Sequence, residues 1–305
     1  IMDAYIISYF GKNTNTQLTR QALHYQQLCC LLQTRGIEHI HVLAQDYANT
    51  TFITKPKHYL ELKHPRITYH HTEQMCPARA RNKLIDVFYS TGKSWAMFLD
   101  NDAIIDPRFH GEDICNIIEY NSEWLTKNVD ILVPMSPRHQ PFNKRIAIEH
   151  EKGNLATHTP IKKENYCKTT LFWMKNQSVV GKDPIYFDNE LQELEDFEYI
   201  GRVLARGGVI YQLQAVIMGD MAINEEHSTL FEGKERTNNF EAVKERIYKR
   251  YFNPNTWKGA KNTQFKWDSI GDSKVKHFKL PLVGEDPQVL YTQDNLFHNL
   301  FEEIV

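Results

Sequence analysis

Apolar and polar positions fall into strand-sized and helix-sized blocks over the first two thirds of the chain. Asp3 to Phe10 has the β-branched and aromatic density of a buried strand, and Gly11 to Asn15 reads as the loop after it. From Thr16 to Arg35, Leu18, Ala22, Leu23, Tyr25, Leu28, Cys29, Leu31 and Leu32 recur at helical spacing, and Gly36 stands where a helix end wants a left-handed residue. His39 to Ala44 predicts a second strand, which completes a β-α-β unit and implies a parallel pair. The pattern then repeats, with a short strand over Arg66–His70 and a helix from Pro77, suited to a first turn, to Tyr89. Trp95 to Leu99 is an unbroken apolar run of strand length and should be a central strand. Further on, helices are expected over Ile114–Leu125 and Leu194–Arg206, the latter closed by Gly207-Gly208. Strands are expected over Val129–Pro134, Thr169–Met174 and Val209–Met218. Beyond Phe231 the pattern loses regularity.

This alternation predicts an α/β fold built on a Rossmann-like sheet, with ligands beyond the carboxyl ends of its strands. At 305 residues with 41% hydrophobic and 24% charged positions, the chain can bury a large core. No apolar run reaches the roughly 20 residues needed to cross a bilayer, so the expectation is a soluble protein with no membrane partner, placed in the cytoplasm. The five cysteines are odd in number and lack C-x-x-C spacing, which argues against a disulfide framework or zinc knuckle. The net charge of −2 hides a basic stretch: Lys244 to Lys279 holds ten Lys or Arg against three Asp or Glu.

Candidate chemistry begins just after the central strand. In Phe98-Leu-Asp-Asn-Asp102, Asp100 and Asp102 are separated by one residue at a sheet end, where two carboxylates suit a hard divalent cation with oxygen ligands. The competing reading is a turn in which Asp100 and Asn101 merely cap the backbone. A second group, Glu195, Asp196 and Glu198, opens the expected late helix. Such acids are favoured by the helix dipole, yet Asp196 or Glu195 could instead face the crevice as a general base. His227, in Asn224-Glu-Glu-His, follows a strand and could complete the coordination of a metal already held by aspartate.

In this order of elements the chain resembles the GT-A-fold glycosyltransferases. The matches are Asp100 and Asp102 for the metal motif, Glu195-Asp196 for the acceptor-activating motif, Arg202 with Gly207 behind it, His227, and Ala78-Arg-Ala-Arg-Asn82 as the helix start before the metal strand. The likeness covers roughly residues 3 to 230. It implies a GT-A domain over 1–230 with a mixed, mainly parallel sheet flanked by helices, and a basic, aromatic C-terminal extension over 231–305. It also implies Mn²⁺ or Mg²⁺ at Asp100, Asp102 and His227, and a nucleoside-diphosphate-sugar donor, with UDP-sugar the leading choice. Donor contacts are expected from Tyr9, Phe10, Asp46, Arg79, Arg81, Asp100 and Asn101. Aromatics at strand ends are also ordinary core residues, and arginines on a helix are also ordinary surface charges. The chain lacks the Asp-Asp-Gly-Ser segment of the largest GT-A families, which leaves the nucleobase open. With Asp196 as base, and Glu195 beside it, inversion is the expected stereochemistry.

The acceptor expectation rests on the extension. Its basic residues are interleaved with Tyr248, Tyr251, Phe252, Trp257, Phe265, Trp267 and Phe278, a mixture of phosphate contacts and stacking faces that fits DNA. The chain also looks like bacteriophage GT-A enzymes that glycosylate hydroxymethylated cytosines in phage DNA, which would place it in the cytoplasm of a host cell. Polysaccharide, lipopolysaccharide or protein acceptors stay open, as does a DNA-binding scaffold without catalysis. A phosphatase-like use of Asp100 fits less well, because its motif normally opens the first strand of the fold.

Overall fold

The computed structural model describes residues 2–12, 14–50, 61–105, 121–135, 158–164, 169–192 and 195–220, single residues at 115, 118 and 119, and three short strands in the extension. In chain order the elements are β1 (Met2–Ser8), α1 (Thr14–Gln33), β2 (Ile37–Gln45), β3 (Ile67–Thr72), α2 (Pro77–Thr91), β4 (Trp95–Asp100) and β5 (Ala103–Ile105). There follow α3 (Ser122–Asn128), β6 (Ile131–Met135), β7 (His158–Glu164), β8 (Leu171–Lys175), α4 (Glu195–Ala205) and β9 (Ile210–Asp220). The extension contributes β10 (Lys266–Ser269), β11 (Lys276–Lys279) and β12 (Gln288–Tyr291).

The main sheet runs β12-β7-β9-β6-β8-β4-β1-β2-β3, and β5 pairs with the far end of β9. The half formed by β3, β2, β1 and β4 is wholly parallel. Beyond β4 the sheet is mixed: β8 runs antiparallel to β4 and β6, β9 is parallel to β6, and β7 and β12 are antiparallel. The expectation of a mainly parallel sheet therefore holds for one half and not the other. Among the described residues of the extension, β12 extends the main sheet as an edge strand, while β10 and β11 form a separate antiparallel ribbon.

Strand β4 explains the arrangement. All of Trp95 to Leu99 is buried, and alternate residues serve two cores. Trp95, Met97 and Leu99 pack on the side of α1 with Leu28 and Leu31, whereas Ala96 and Phe98 pack on the side of α2 and α4 with Leu84, Phe88, Tyr199 and Val203. A strand covered on both faces has no polar side to show, hence its continuous apolar sequence. Across the second face, His41, Tyr5, Phe98 and Phe172 stand opposite one another on β2, β1, β4 and β8, with ring centroids 4.8, 5.1 and 5.3 Å apart. Helix α4 ends at the expected glycines: Gly207 takes φ +75°, and the Gly208 N–H returns to the Val203 carbonyl. A Cβ on Gly208 would lie 2.7 Å from that carbonyl oxygen, so the close approach requires glycine.

Helix α1 departs from the expected face. Leu18 and Tyr25 are exposed, while Thr16, Gln17, Arg20, Gln21, His24 and Gln27 are buried ahead of Leu28 and Leu31. The helix is thus rotated so that its first half presents a polar stripe inward. Of the helix expected over Ile114–Leu125, the described residues Cys115, Ile118 and Glu119 are helical, and α3 covers Ser122–Asn128.

At the opposite end of the sheet from the carboxylate pair, Asp130 joins three strand ends. It accepts hydrogen bonds from Gln177 Nε2 at 3.0 Å and from the Val209 N–H at 2.8 Å, and pairs with Lys175 Nζ at 3.0 Å. Burial alone would raise its pKa, but those donors outweigh it and hold the carboxyl below its ordinary value. A depressed carboxyl contributes stability above its unfolded pKa of about 4 and loses it as pH falls through the lower folded value. Lys175 is only 3% exposed. Asp130→Ala should therefore cost about 3–5 kcal/mol in urea unfolding at neutral pH, because it strands a buried ammonium. A loss below about 1 kcal/mol would show that the pair does not matter.

Candidate active site

Strand order places the site. From β1 the chain passes through α1 to β2 on one side, and from β3 it returns through α2 to β4 on the other, so β1 and β4 are adjacent and their connections diverge. The carboxyl ends of such a pair bound a crevice. Tyr9 and Phe10 follow β1 there, and Asp100-Asn101-Asp102 closes β4.

The turn after β4 is fixed from both flanking helices. From α2, Arg81 lies 2.9 Å from Asp100 Oδ1 and 2.6 Å from Glu195 Oε1, so one guanidinium joins the metal motif to the first residue of α4. Arg81 is 4% exposed, and its guanidinium carbon sits 5.4 Å from the centre of the Phe187 ring, which itself stacks on Tyr199 of α4 at 3.9 Å. From α1, Arg20 Nη1 lies 3.1 Å from Asn101 Oδ1 and 3.1 Å from Asp102 Oδ2. About two turns further along α1, Gln27 Nε2 donates to the Asp100 carbonyl at 2.7 Å and also to the carbonyl of Ala103. Asn101 is buried and donates to the Tyr9 carbonyl at 3.1 Å, tying the turn to the end of β1.

Three carboxylates and two guanidiniums thus share a poorly solvated corner. The carboxyl of Asp100 is pushed up to about 6, first by burial and then by the negative charges of Asp102 and Glu195, against the opposing effect of Arg81. Burial would discharge Arg81, but Asp100 and Glu195 outweigh it and hold the guanidinium charged. Asp196, half-buried beside Glu195, adds to the negative field at Arg81.

Several expected donor contacts have other roles. Phe10 is 1% exposed and stacks on Tyr47 at 4.9 Å, so it is core and presents no face to a ligand. Arg81 is committed to carboxylates and is not a free phosphate ligand. Arg79 is exposed on another flank of α2 and donates to the Asn189 carbonyl. Asn101 positions the turn from within. Tyr9 and Asp46 do stand together at the crevice: both are half-buried, and burial together with the Asp46 charge raises the Tyr9 phenol. Asp46 adopts a left-handed φ of 53° and accepts the Gln74 N–H at 3.0 Å. Such an αL residue that is not glycine is strained, and strain of this kind clusters at functional sites. Arg202 is held by Glu198 at 2.7 Å, with Asp188 at 3.8 Å. His227 lies outside the described residues.

Reading the sequence missed Arg20 and Gln27. Their signal is the spacing of Gln17, Arg20, Gln21, His24 and Gln27, a polar stripe at i, i+3 and i+4 where a helix packed on a sheet ordinarily carries apolar residues.

Asp100 and Asp102 offer hard oxygen ligands in a corner that also holds Glu195 and Asp196. The donor set therefore fits a Mg²⁺- or Mn²⁺-type ion. Among the described residues no group of three or more His, Cys, Asp or Glu is arranged to hold a metal. No helix of the described residues is long and apolar enough to cross a membrane.

Arg81→Met should cost about 3–5 kcal/mol in chemical unfolding, because it leaves Asp100 and Glu195 without their shared counterion. Melting unchanged from wild type would contradict this role. No protein-family model matches the chain, and no curated protein is significantly similar to it.

Proposed function

We propose that the protein is a metal-dependent glycosyltransferase that moves a sugar from a nucleoside-diphosphate-sugar to a hydroxyl acceptor. The observation that carries this reading is the carboxylate pair at the end of β4, beside the point where the connections diverge, joined through Arg81 to Glu195 and so to the acidic first turn of α4. A donor-side motif and a candidate base, 95 residues apart in sequence, meet in one corner. The parallel half-sheet with a mixed continuation is compatible with the GT-A fold that the sequence resembles.

Asp100 and Asp102 would hold the divalent cation, with His227 a further candidate ligand. When bound, that ion neutralises charge developing on the diphosphate leaving group. The protein's own part is positional and acid-base. Tyr9 and Asp46 flank the end of β1, where the nucleoside fits, while Arg20, Gln27 and Asn101 hold the carboxylate turn. Asp196, next to Glu195 in the first turn of α4, is the base. As the acceptor oxygen bonds to the anomeric carbon and the sugar–diphosphate bond breaks, Asp196 takes the hydroxyl proton, a course that inverts the anomeric centre.

DNA carrying hydroxymethylcytosine is the acceptor best supported. The β10–β11 ribbon sets Trp267 opposite Phe278 and Lys266 opposite Lys279, inside the basic, aromatic stretch. A two-stranded ribbon is of a size to enter a major groove, and lysines supply phosphate contacts.

Incubation with Mn²⁺, a panel of nucleotide-sugars and hydroxymethylcytosine DNA, followed by nucleoside mass analysis, should show a hexose or pentose adduct. No adduct and no donor breakdown under any pairing would reject the reading. Asp102→Ala should lose transfer, and turnover at the wild-type level by that variant would exclude a metal-dependent mechanism. Asp196→Asn should slow transfer by roughly 10²–10⁴-fold while donor affinity stays unchanged. Undiminished turnover would remove Asp196 as the base.

A further inference from the structure

The cation site proposed above already holds a positive charge. Arg20 is a buried arginine on a helix face that would ordinarily be apolar, and its Nη1 lies 3.1 Å from Asp102 Oδ2. The same nitrogen lies 3.1 Å from Asn101 Oδ1, and Asn101 is anchored on the Tyr9 carbonyl, so the guanidinium has a second anchor beside Asp102. A guanidinium and a divalent cation on one buried carboxylate repel each other strongly, because little solvent screens them. A guanidinium held in this way competes with an arriving cation for the same carboxylate.

We propose that Arg20 is the resident counter-cation of Asp102, holding the carboxylate turn in shape without metal and yielding Asp102 to the divalent cation when it arrives. The inference rests on the assignment of Asp102 as a metal ligand. Arg20 is then a positioning residue whose charge sets the threshold for metal entry. Its attachment to Asn101 keeps it beside the turn after the exchange, where a guanidinium suits the phosphates of an arriving donor.

The test is a Mn²⁺ titration of the full chain without nucleotide, followed by water-proton relaxation, together with thermal melting in the same buffers. Arg20→Met should bind Mn²⁺ on the order of tenfold more tightly than wild type, as expected when a like charge beside the site is removed. Without metal it should melt lower than wild type and gain more from saturating Mn²⁺. Arg20→Lys, which keeps the charge, should stay near wild-type affinity. Should Arg20→Met fail to fold, Arg20→Gln is read against the same criteria. Mn²⁺ affinity in the neutral variant equal to or weaker than wild type, with binding lost in Asp102→Ala, overturns the exchange and leaves the metal assignment standing. Tightening by Arg20→Lys as large as by Arg20→Met also overturns it, since charge would then not be the cause. No saturable Mn²⁺ binding by either wild type or Arg20→Met removes the metal assignment and the exchange together.

Discussion

The contact on which the site depends is the buried guanidinium of Arg81 between Asp100 and Glu195. Without it, β4 would end in a carboxylate facing a second carboxylate from α4, and burial would drive both toward protonation or apart. With it, the acidic turn of α4 is held against the end of the central strand. The surrounding apolar packing then serves to fix that guanidinium. Phe187 lies beside it, Phe187 stacks on Tyr199, and Tyr199 belongs to the same core as Leu84 and Phe88 of α2. Arg20 makes the corresponding contact from α1 on the other side of the turn. Two helices that cover opposite faces of one sheet thus each send one arginine to the same three-residue segment.

This arrangement explains why the corner is electrostatically unsettled. Asp100, Asp102, Glu195 and the neighbouring Asp196 face two arginines, and it is first of all burial that raises the Asp100 carboxyl. A fold under selection for stability alone would replace such a cluster with apolar residues of similar size. Under the proposed function, its place at the carboxyl ends of β1 and β4, next to a strained Asp46, suits a cation and a phosphorylated ligand.

Much of the fold was legible in the sequence because burial on both faces leaves a plain signature. The run Trp95–Leu99 could be placed as a central strand from its apolar continuity, and the start of α2 from Pro77. The short strand β5 and the edge strands β7 and β12 carried no such signature, since they depend on partners distant in the chain. The face of α1 was misjudged for a related reason. Gln17, Arg20, His24 and Gln27 look like a solvated surface, and only the position of α1 beside a polar turn puts them inside. In the site, Asp100, Asp102 and Glu195 were recognisable as a pattern, but the pairing of Arg81 with Asp100 and Glu195 was not. Arg81 looked like a phosphate ligand because sequence shows a charge without its partners, and Phe10 looked like a stacking face because sequence does not show what covers it.

Under the proposed function, the carboxylate turn binds a nucleoside diphosphate through a divalent cation. The most direct measurement is calorimetric binding of nucleoside diphosphates to the full chain, with and without Mn²⁺. The account predicts binding of at least one diphosphate that appears or strengthens by an order of magnitude or more with the metal, and disappears with chelator. Binding of equal strength in the presence and absence of metal, or none with any base, would contradict it.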